Sequence, residues 1–203
     1  MLLVTYMPRC HSTRTIYATR GYSQLNINPV SFAARTDYAG NSGTYAPDWR
    51  IVDVSDPSQV DAPGFVWPAF PNETGIFYCT STVKTADITD GVSNTYLLGE
   101  KSLSPDFYLN SDADTTTNGG DNNPPYGGMD LDYNRWALSS TTGPFQDQPG
   151  YVDYYSFGSA HASGFGMAFC DGSVQQISYS IDPKVHQNLA NRKDGVPIDA
   201  KSY

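Results

Sequence analysis

Positively charged residues are scarce in this sequence. Twelve Lys and Arg stand against 21 Asp and Glu in 203 residues, which gives a formal net charge of −9. Nucleic-acid binders generally present a positive surface to the phosphates, so this balance excludes a generic basic nucleic-acid binder. No apolar run of roughly 18 residues or more is present, and so the sequence offers no transmembrane helix. Residues 1–8 do not resemble a signal peptide, because no basic region precedes an apolar run of useful length and Pro8 ends that run early.

Cysteine is also scarce, and its count is odd. Cys10, Cys79 and Cys170 lie far apart, with no Cys-x-x-Cys pair and no zinc-ligand spacing. A secreted disulfide framework normally uses an even number of cysteines, so at most one bridge can form within the chain. Two interpretations stay open: three small thiols that are buried or partly buried, or a Cys10–Cys79 disulfide.

Turn-forming and aromatic residues, in contrast, are abundant. The chain contains 18 Gly, 14 Pro and 15 Tyr, and aromatic residues make up 13% of it. So many Gly and Pro residues exclude a helical bundle, because both residue types interrupt helices. The aromatic content excludes a disordered chain. We expect one acidic domain over 1–203 of the α+β class, with an antiparallel β-sheet, long loops and a poorly defined start over 1–34.

The clearest local pattern lies near the C-terminus. Phe165, Met167 and Phe169 alternate with smaller residues, which is the period of a half-buried strand. Asp171-Gly172 suits a tight turn, after which the segment 174–179 returns as a second strand. The apolar residues of the returning strand do not alternate strictly, which predicts a bulge near the turn. The pattern therefore predicts a β-hairpin.

A short helix is expected after this hairpin. Asp182 is a suitable N-cap, and Pro183 suits the first helical position. Val185 and Leu189 share one helical face, and Asp194-Gly195 is expected to end the segment.

The sequence also makes predictions for the upstream elements. They are a strand running into a turn over 35–44, a long Pro-rich surface loop over 46–75, a strand over 74–79, one helical turn over 86–91, a strand over 94–100 and a loop over 104–135.

His161 and Asp171 invite a catalytic interpretation, which the spacing argues against. Nine residues separate them, and in one extended strand they would lie roughly 30 Å apart at about 3.3 Å per residue. Direct proton transfer is impossible over that distance. We expect His161 to fix the entry of the strand and Asp171 to be a turn residue, with no catalytic residue in the chain and no enzymatic activity. His11 and His186 have no ligand partners at i+3 or i+4, so no zinc site is expected.

The acidic Gly/Asn-rich loop over 104–135 is a candidate calcium site. Calcium prefers carboxylate and carbonyl oxygens on a flexible loop. The loop carries five aspartates, namely Asp112, Asp114, Asp121, Asp130 and Asp132. An EF-hand is rejected, because Pro125 stands where the bidentate Glu is required. The alternative is a solvated acidic loop, in which Arg135 pairs with Asp130 or Asp132.

The sequence resembles a known family at several blocks. Its His161-x9-Asp171-Gly172 pattern looks like the signature of prepilin-type processing-associated proteins, a pseudopilin-like family of unknown function. An upstream block matches as well, through Asp90, Gly91, Ser93, Asn94 and Thr95. Further matching blocks are 37–40, 99–101, 127–136 and 180–195, so the resemblance covers most of residues 35–199.

The resemblance implies a structural role. Members of that family begin with a prepilin cleavage site and a long apolar helix, so this chain is interpreted as the C-terminal globular part of a longer protein. It would be the non-catalytic, pilin-like head of an exported protein at the periplasm or cell surface. The apolar helix would anchor it in the membrane, and it would assemble with like subunits or type II secretion components. No cofactor is implied apart from possible calcium.

The competing class is an extracellular solute- or glycan-binding module. Aromatic side chains can stack on sugars, and Trp49, Trp67 and Trp136 are the candidates for such a surface. More often such residues anchor the core and the loops.

Overall fold

The computed structural model describes residues 35–45, 58, 60–108, 120–121, 129–139, 143–199 and 201–203. Its strands are β1 (Tyr38–Asn41), β2 (Tyr96–Glu100), β3 (Asn134–Arg135), β4 (Phe145–Gln146), β5 (Gly158–Ser159), β6 (Gly164–Phe169) and β7 (Val174–Ser178). The helix α1 covers Pro183–Ala190, and short 3₁₀ helices cover Thr85–Asp87, Val92–Asn94 and Pro105–Phe107. Across these ranges, no helix combines the length and apolar character that a membrane crossing requires.

The main sheet organises the fold. In the described part of the chain it has five strands in the order β3-β1-β2-β6-β7. The pairs β1–β2, β2–β6 and β6–β7 are antiparallel, and β3 joins β1 in parallel. Strands β4 and β5 form a separate parallel pair. The predicted α+β class, with a mostly antiparallel sheet and long loops, is confirmed.

Strands β6 and β7 form the predicted hairpin, and Gly172 lies in its turn at φ +96°. Their register runs without a shift from Ala168–Val174 to Gly164–Ser178. The predicted bulge lies at the turn, where the Gly172 N–H donates to the Phe169 carbonyl at 3.0 Å and the Phe169 N–H donates to the Ser173 carbonyl at 2.9 Å, so that Gly172 and Ser173 both face Phe169. A further irregularity of the sheet lies in β2, between Tyr96 and Leu98.

The core forms on one face of the sheet. Every residue of β6 is buried, so the prediction of a half-buried strand was wrong for its glycine and alanine positions. The cluster consists of Tyr96, Ala137, Phe157, Phe165, Met167, Phe169, Ile177, Ile181, Leu189 and Ala190. Full burial of a large apolar side chain stabilises the fold by about 1.5–3 kcal/mol, so this cluster holds helix and sheet together.

Helix α1 begins as predicted and ends earlier. The Asp182 carboxylate accepts hydrogen bonds from the main-chain N–H groups of Lys184 at 2.7 Å and Val185 at 3.2 Å. Leu189 is fully buried against the sheet, and Val185 packs at the edge of the core. The helix stops at Ala190 because the next residue is extended, whereas Asp194-Gly195 was the expected end.

Three upstream predictions need correction. Residues 74–79 do not form a strand, because the N–H groups of Ile76 and Phe77 both donate to the single carbonyl of Asn41. The helical turn covers Thr85–Asp87 and so ends before the predicted segment 86–91 does. The loop over 104–135 contains a 3₁₀ helix and ends in strand β3.

Candidate functional site

The block from Asp90 to Thr95 is a hydrogen-bonded turn. The Asp90 carboxylate accepts hydrogen bonds from the N–H groups of Asp194 at 2.6 Å and Gly195 at 2.9 Å. It thereby fastens the segment that follows α1 to the start of β2. Burial, together with the Asp90 charge, raises the pKa of Asp194.

Side chains later in the same block bond back to its start. Gly91 adopts φ +97°, a conformation that residues with a Cβ rarely adopt. The Asn94 amide donates to the Asp90 carbonyl at 3.3 Å, and the Thr95 hydroxyl donates to the Gly91 carbonyl at 3.0 Å. Ser93 is exposed within the 3₁₀ helix. The hydrogen bonds of Asn94 and Thr95 to the start of the block hold it in one compact turn.

The hairpin turn bonds directly to that block. The Asp171 N–H donates to the Val92 carbonyl at 3.0 Å, and the Cys170 N–H donates to the Thr95 carbonyl at 2.9 Å. The Asp171 carboxylate accepts from the N–H and the hydroxyl of Ser173, at 2.8 and 2.7 Å. The two most distinctive sequence blocks therefore form one structural unit.

His161 lies at the other end of β6. Its Nε2 is 3.5 Å from Oε1 of Glu100, a fully buried residue at the end of β2. The other carboxylate oxygen of Glu100 accepts a hydrogen bond from the Gly166 N–H at 2.6 Å. Strand β6 lies between His161 and Asp171 and spans roughly 17 Å at about 3.3 Å per residue. The structure does not bring the two residues together.

A lysine binds the described residues of the acidic loop. The Lys101 ammonium donates to the Gly120 carbonyl at 2.9 Å, to the Asp121 carboxylate at 2.9 Å and to the Asp132 carbonyl at 2.8 Å. Arg35 lies 3.3 Å from the other Asp121 oxygen. These oxygens therefore surround a cation that the chain itself supplies.

The structure describes only some of the five aspartates that were predicted as calcium ligands. Asp112 and Asp114 lie outside the described residues, whereas Asp121, Asp130 and Asp132 lie within them. Over the ranges that the structure describes, no three His, Cys, Asp or Glu residues are arranged to hold a metal ion. Calcium binding stays a prediction.

Arg135 does not form the predicted ion pair. Its guanidinium donates to the carbonyls of Leu131, Asn134, Ser102 and Gly120. Burial lowers the pKa of Arg135 to about 10, although the nearby charge of Asp132 opposes this shift. The arginine binds the main chain of the loop because carbonyls, and not the Asp130 or Asp132 carboxylates, point at it.

The most perturbed histidine was not singled out by the sequence. His186 on α1 is 1% exposed, and its Nδ1 is 3.2 Å from the Tyr96 hydroxyl. The rings of Tyr96, Phe157 and Phe165 surround it. Burial lowers the pKa of His186 to about 4. Its position next to Val185 on the core-facing side of the predicted helix was the available signal.

Of the three tryptophans considered for a sugar-binding surface, the structure buries Trp136 and exposes Trp67. Trp136 is 1% exposed and packs against Tyr155, so it belongs to the interior. Trp67 is 51% exposed and contacts Phe65 edge to face. Trp49 and Cys10 lie outside the described residues, so the Cys10–Cys79 pairing also lies outside them.

Comparison with known proteins gives one match. The model of a family described as "Protein of unknown function (DUF1559)", labelled SBP_bac_10, matches residues 10–184. No curated protein and no solved structure matches the chain.

Proposed function

The chain belongs to this DUF1559 family, and we propose that it is the non-catalytic, pilin-like head of an exported protein. The proposal includes a membrane anchor through an N-terminal helix and assembly with like subunits or secretion components. Its resemblance to prepilin-type processing-associated proteins, carried by the blocks at 90–95 and 161–172, supports this role.

One observation carries the non-catalytic part of the proposal. The polar side chains of the signature blocks form hydrogen bonds with neighbouring turns and loops. These side chains are Asp90, Asn94, Thr95 and Asp171. A catalytic carboxylate would face a cleft and lie within hydrogen-bond reach of a reacting group. Here the carboxylates hold main-chain N–H groups, which is a structural use.

The role in assembly is tested in the native host with the full-length gene. Deletion of the prepilin peptidase should leave a heavier, unprocessed protein in the membrane fraction, whereas the parent strain should yield a shorter form. Mass spectrometry of the protein's N-terminus distinguishes the two. Identical N-termini in both strains would rule out the prepilin-type part of the proposal.

The structural role of the signature block gives a separate prediction. Replacing Asp90 with alanine removes an ionised acceptor from two main-chain N–H groups and should lower the free energy of unfolding by about 1–3 kcal/mol. Asp90→Asn, which keeps one acceptor oxygen, should lose less. Urea denaturation measures both, and hydrogen exchange should rise at residues 191–196 in the alanine variant. Unchanged exchange there would contradict the fastening role of Asp90.

A further inference from the structure

Two neighbouring cavities differ in chemical character. The larger, of about 460 Å³, is an apolar groove on the sheet face opposite the core, and Tyr38, Leu98, Phe77 and Met129 are among its lining residues. The second, of about 400 Å³, is lined in part by Arg192 and Lys193. Tyr78 lines both cavities, so they are neighbours in the fold.

The absence of a side chain at Gly40 lets the Phe77 ring form one wall of the apolar groove. The Phe77 ring lies directly over this glycine, since a Cβ there would be 2.5 Å from Phe77 Cδ2. Gly40 pairs with Leu98 across β1 and β2, and both face the groove. The volume of the groove falls in the range of about 300–1,000 Å³ that is typical of small-molecule sites. Such sites are mostly apolar with a few polar groups.

The second cavity carries positive charge in an otherwise acidic protein. Arg192 is 7% exposed, and its Nη1 donates to the carbonyls of Glu73 at 2.9 Å and Gly75 at 2.6 Å. The guanidinium lies over the Tyr78 ring, 5.6 Å from its centroid. It is therefore held in place before any ligand arrives.

Within the described residues, neither Arg192 nor Lys193 lies within ion-pair distance of a carboxylate. Arg192 Nε is buried and has no hydrogen-bond partner among those residues. Asp87 also lines the cavity, but its carboxylate accepts from the Lys84 N–H at 2.8 Å. Among the charged residues that line this cavity, Arg192 and Lys193 outnumber Asp87, and this lining favours an anion.

We propose that the two cavities form one binding site for a small amphiphilic carboxylate. The apolar body of the ligand would lie in the groove along Leu98 and Phe77. Its carboxylate would lie past Tyr78, beside Arg192 and Lys193. Apolar burial would supply affinity, and the cations would fix the orientation of the ligand. This site is additional to the proposed role in assembly and does not depend on it.

Three probes separate the two halves of the site. Octanoate has both an apolar body and a charge, 1-octanol has only the body, and acetate has only the charge. Calorimetry on the chain should show saturable binding of octanoate and binding of octanol that is weaker by roughly tenfold or more. Acetate should not saturate in the same concentration range. Equal affinity for octanoate and octanol, or no saturable binding of octanoate, would overturn the proposal.

Charge variants provide the matched test. Lys193→Gln should weaken octanoate roughly tenfold and leave octanol unchanged, and Asp87→Asn should tighten octanoate. Lys184→Gln removes the same charge from an exposed site on α1 and should change neither. An equal loss of octanoate affinity in the Lys193 and Lys184 variants would show that binding depends on the net charge of the protein and not on this cavity. That result would refute the site. Prepilin processing is measured separately, so neither result determines the other.

Discussion

Replacing Lys101 with methionine should lower the free energy of unfolding by about 3–5 kcal/mol, because it removes one partner of a buried ion pair. The lysine side chain is 1% exposed, and its ammonium binds Asp121 and two loop carbonyls. Methionine fills a similar volume without the charge. The Asp121 carboxylate would then stay buried without the nearest cation, and two carbonyls would lose a donor.

The control for this variant is Lys184→Met. Lys184 is exposed on α1, and within the described residues its ammonium donates to the Gln187 side chain at 3.0 Å. Surface substitutions of this kind change stability by about 0.5 kcal/mol or less. Urea denaturation of the wild type, Lys101→Met and Lys184→Met compares their free energies of unfolding. A loss below about 1 kcal/mol for Lys101→Met would show that the ammonium does not organise the loop.

Acidification should destabilise the fold through His186. Its pKa is about 4 in the folded state and about 6.5 when unfolded, so protons bind preferentially to the unfolded chain between these values. The contribution of neutral His186 is complete above pH 6.5 and is lost as pH falls towards 4. From this pKa difference, it amounts to about 3 kcal/mol.

The variant His186→Gln isolates this effect, because glutamine is neutral at every pH and all other titrating groups are common to both proteins. The difference in free energy of unfolding between wild type and variant should be constant above pH 7. It should move by about 3 kcal/mol in favour of the variant between pH 6.5 and pH 4. A difference that does not change with pH would mean that His186 is protonated in the folded core or exposed to water.

Local signals in the sequence were sufficient for the C-terminal elements. Asp171-Gly172 and Asp182-Pro183 encode a turn and a helix start in adjacent residues, and the structure has both. The pairing of β3 with β1 could not be predicted in this way. Each of these strands is short, and about ninety residues separate Asn41 from Arg135, its partner in the sheet.

The acidic loop shows why the site was harder to predict than the fold. A run of aspartates suggests an external cation, because composition does not reveal which distant side chain lies among them. Lys101 belongs to the segment after β2, and only the tertiary structure places its ammonium beside Asp121. Arg192 is similar, since its carbonyl partners at Glu73 and Gly75 are more than a hundred residues away in sequence.

The central claim is that the His161 and Asp171 side chains act at opposite ends of β6, beside Glu100 and within the hairpin turn, and do not act on each other. A double-mutant cycle on the free energy of unfolding, with His161→Ala, Asp171→Ala and the double variant, tests it most directly. Residues without shared partners are additive to within about 0.5 kcal/mol, and this is the result expected here. A parallel cycle of His161→Ala with Glu100→Gln should show coupling above that value. Coupling above about 1 kcal/mol between His161 and Asp171 would contradict the claim.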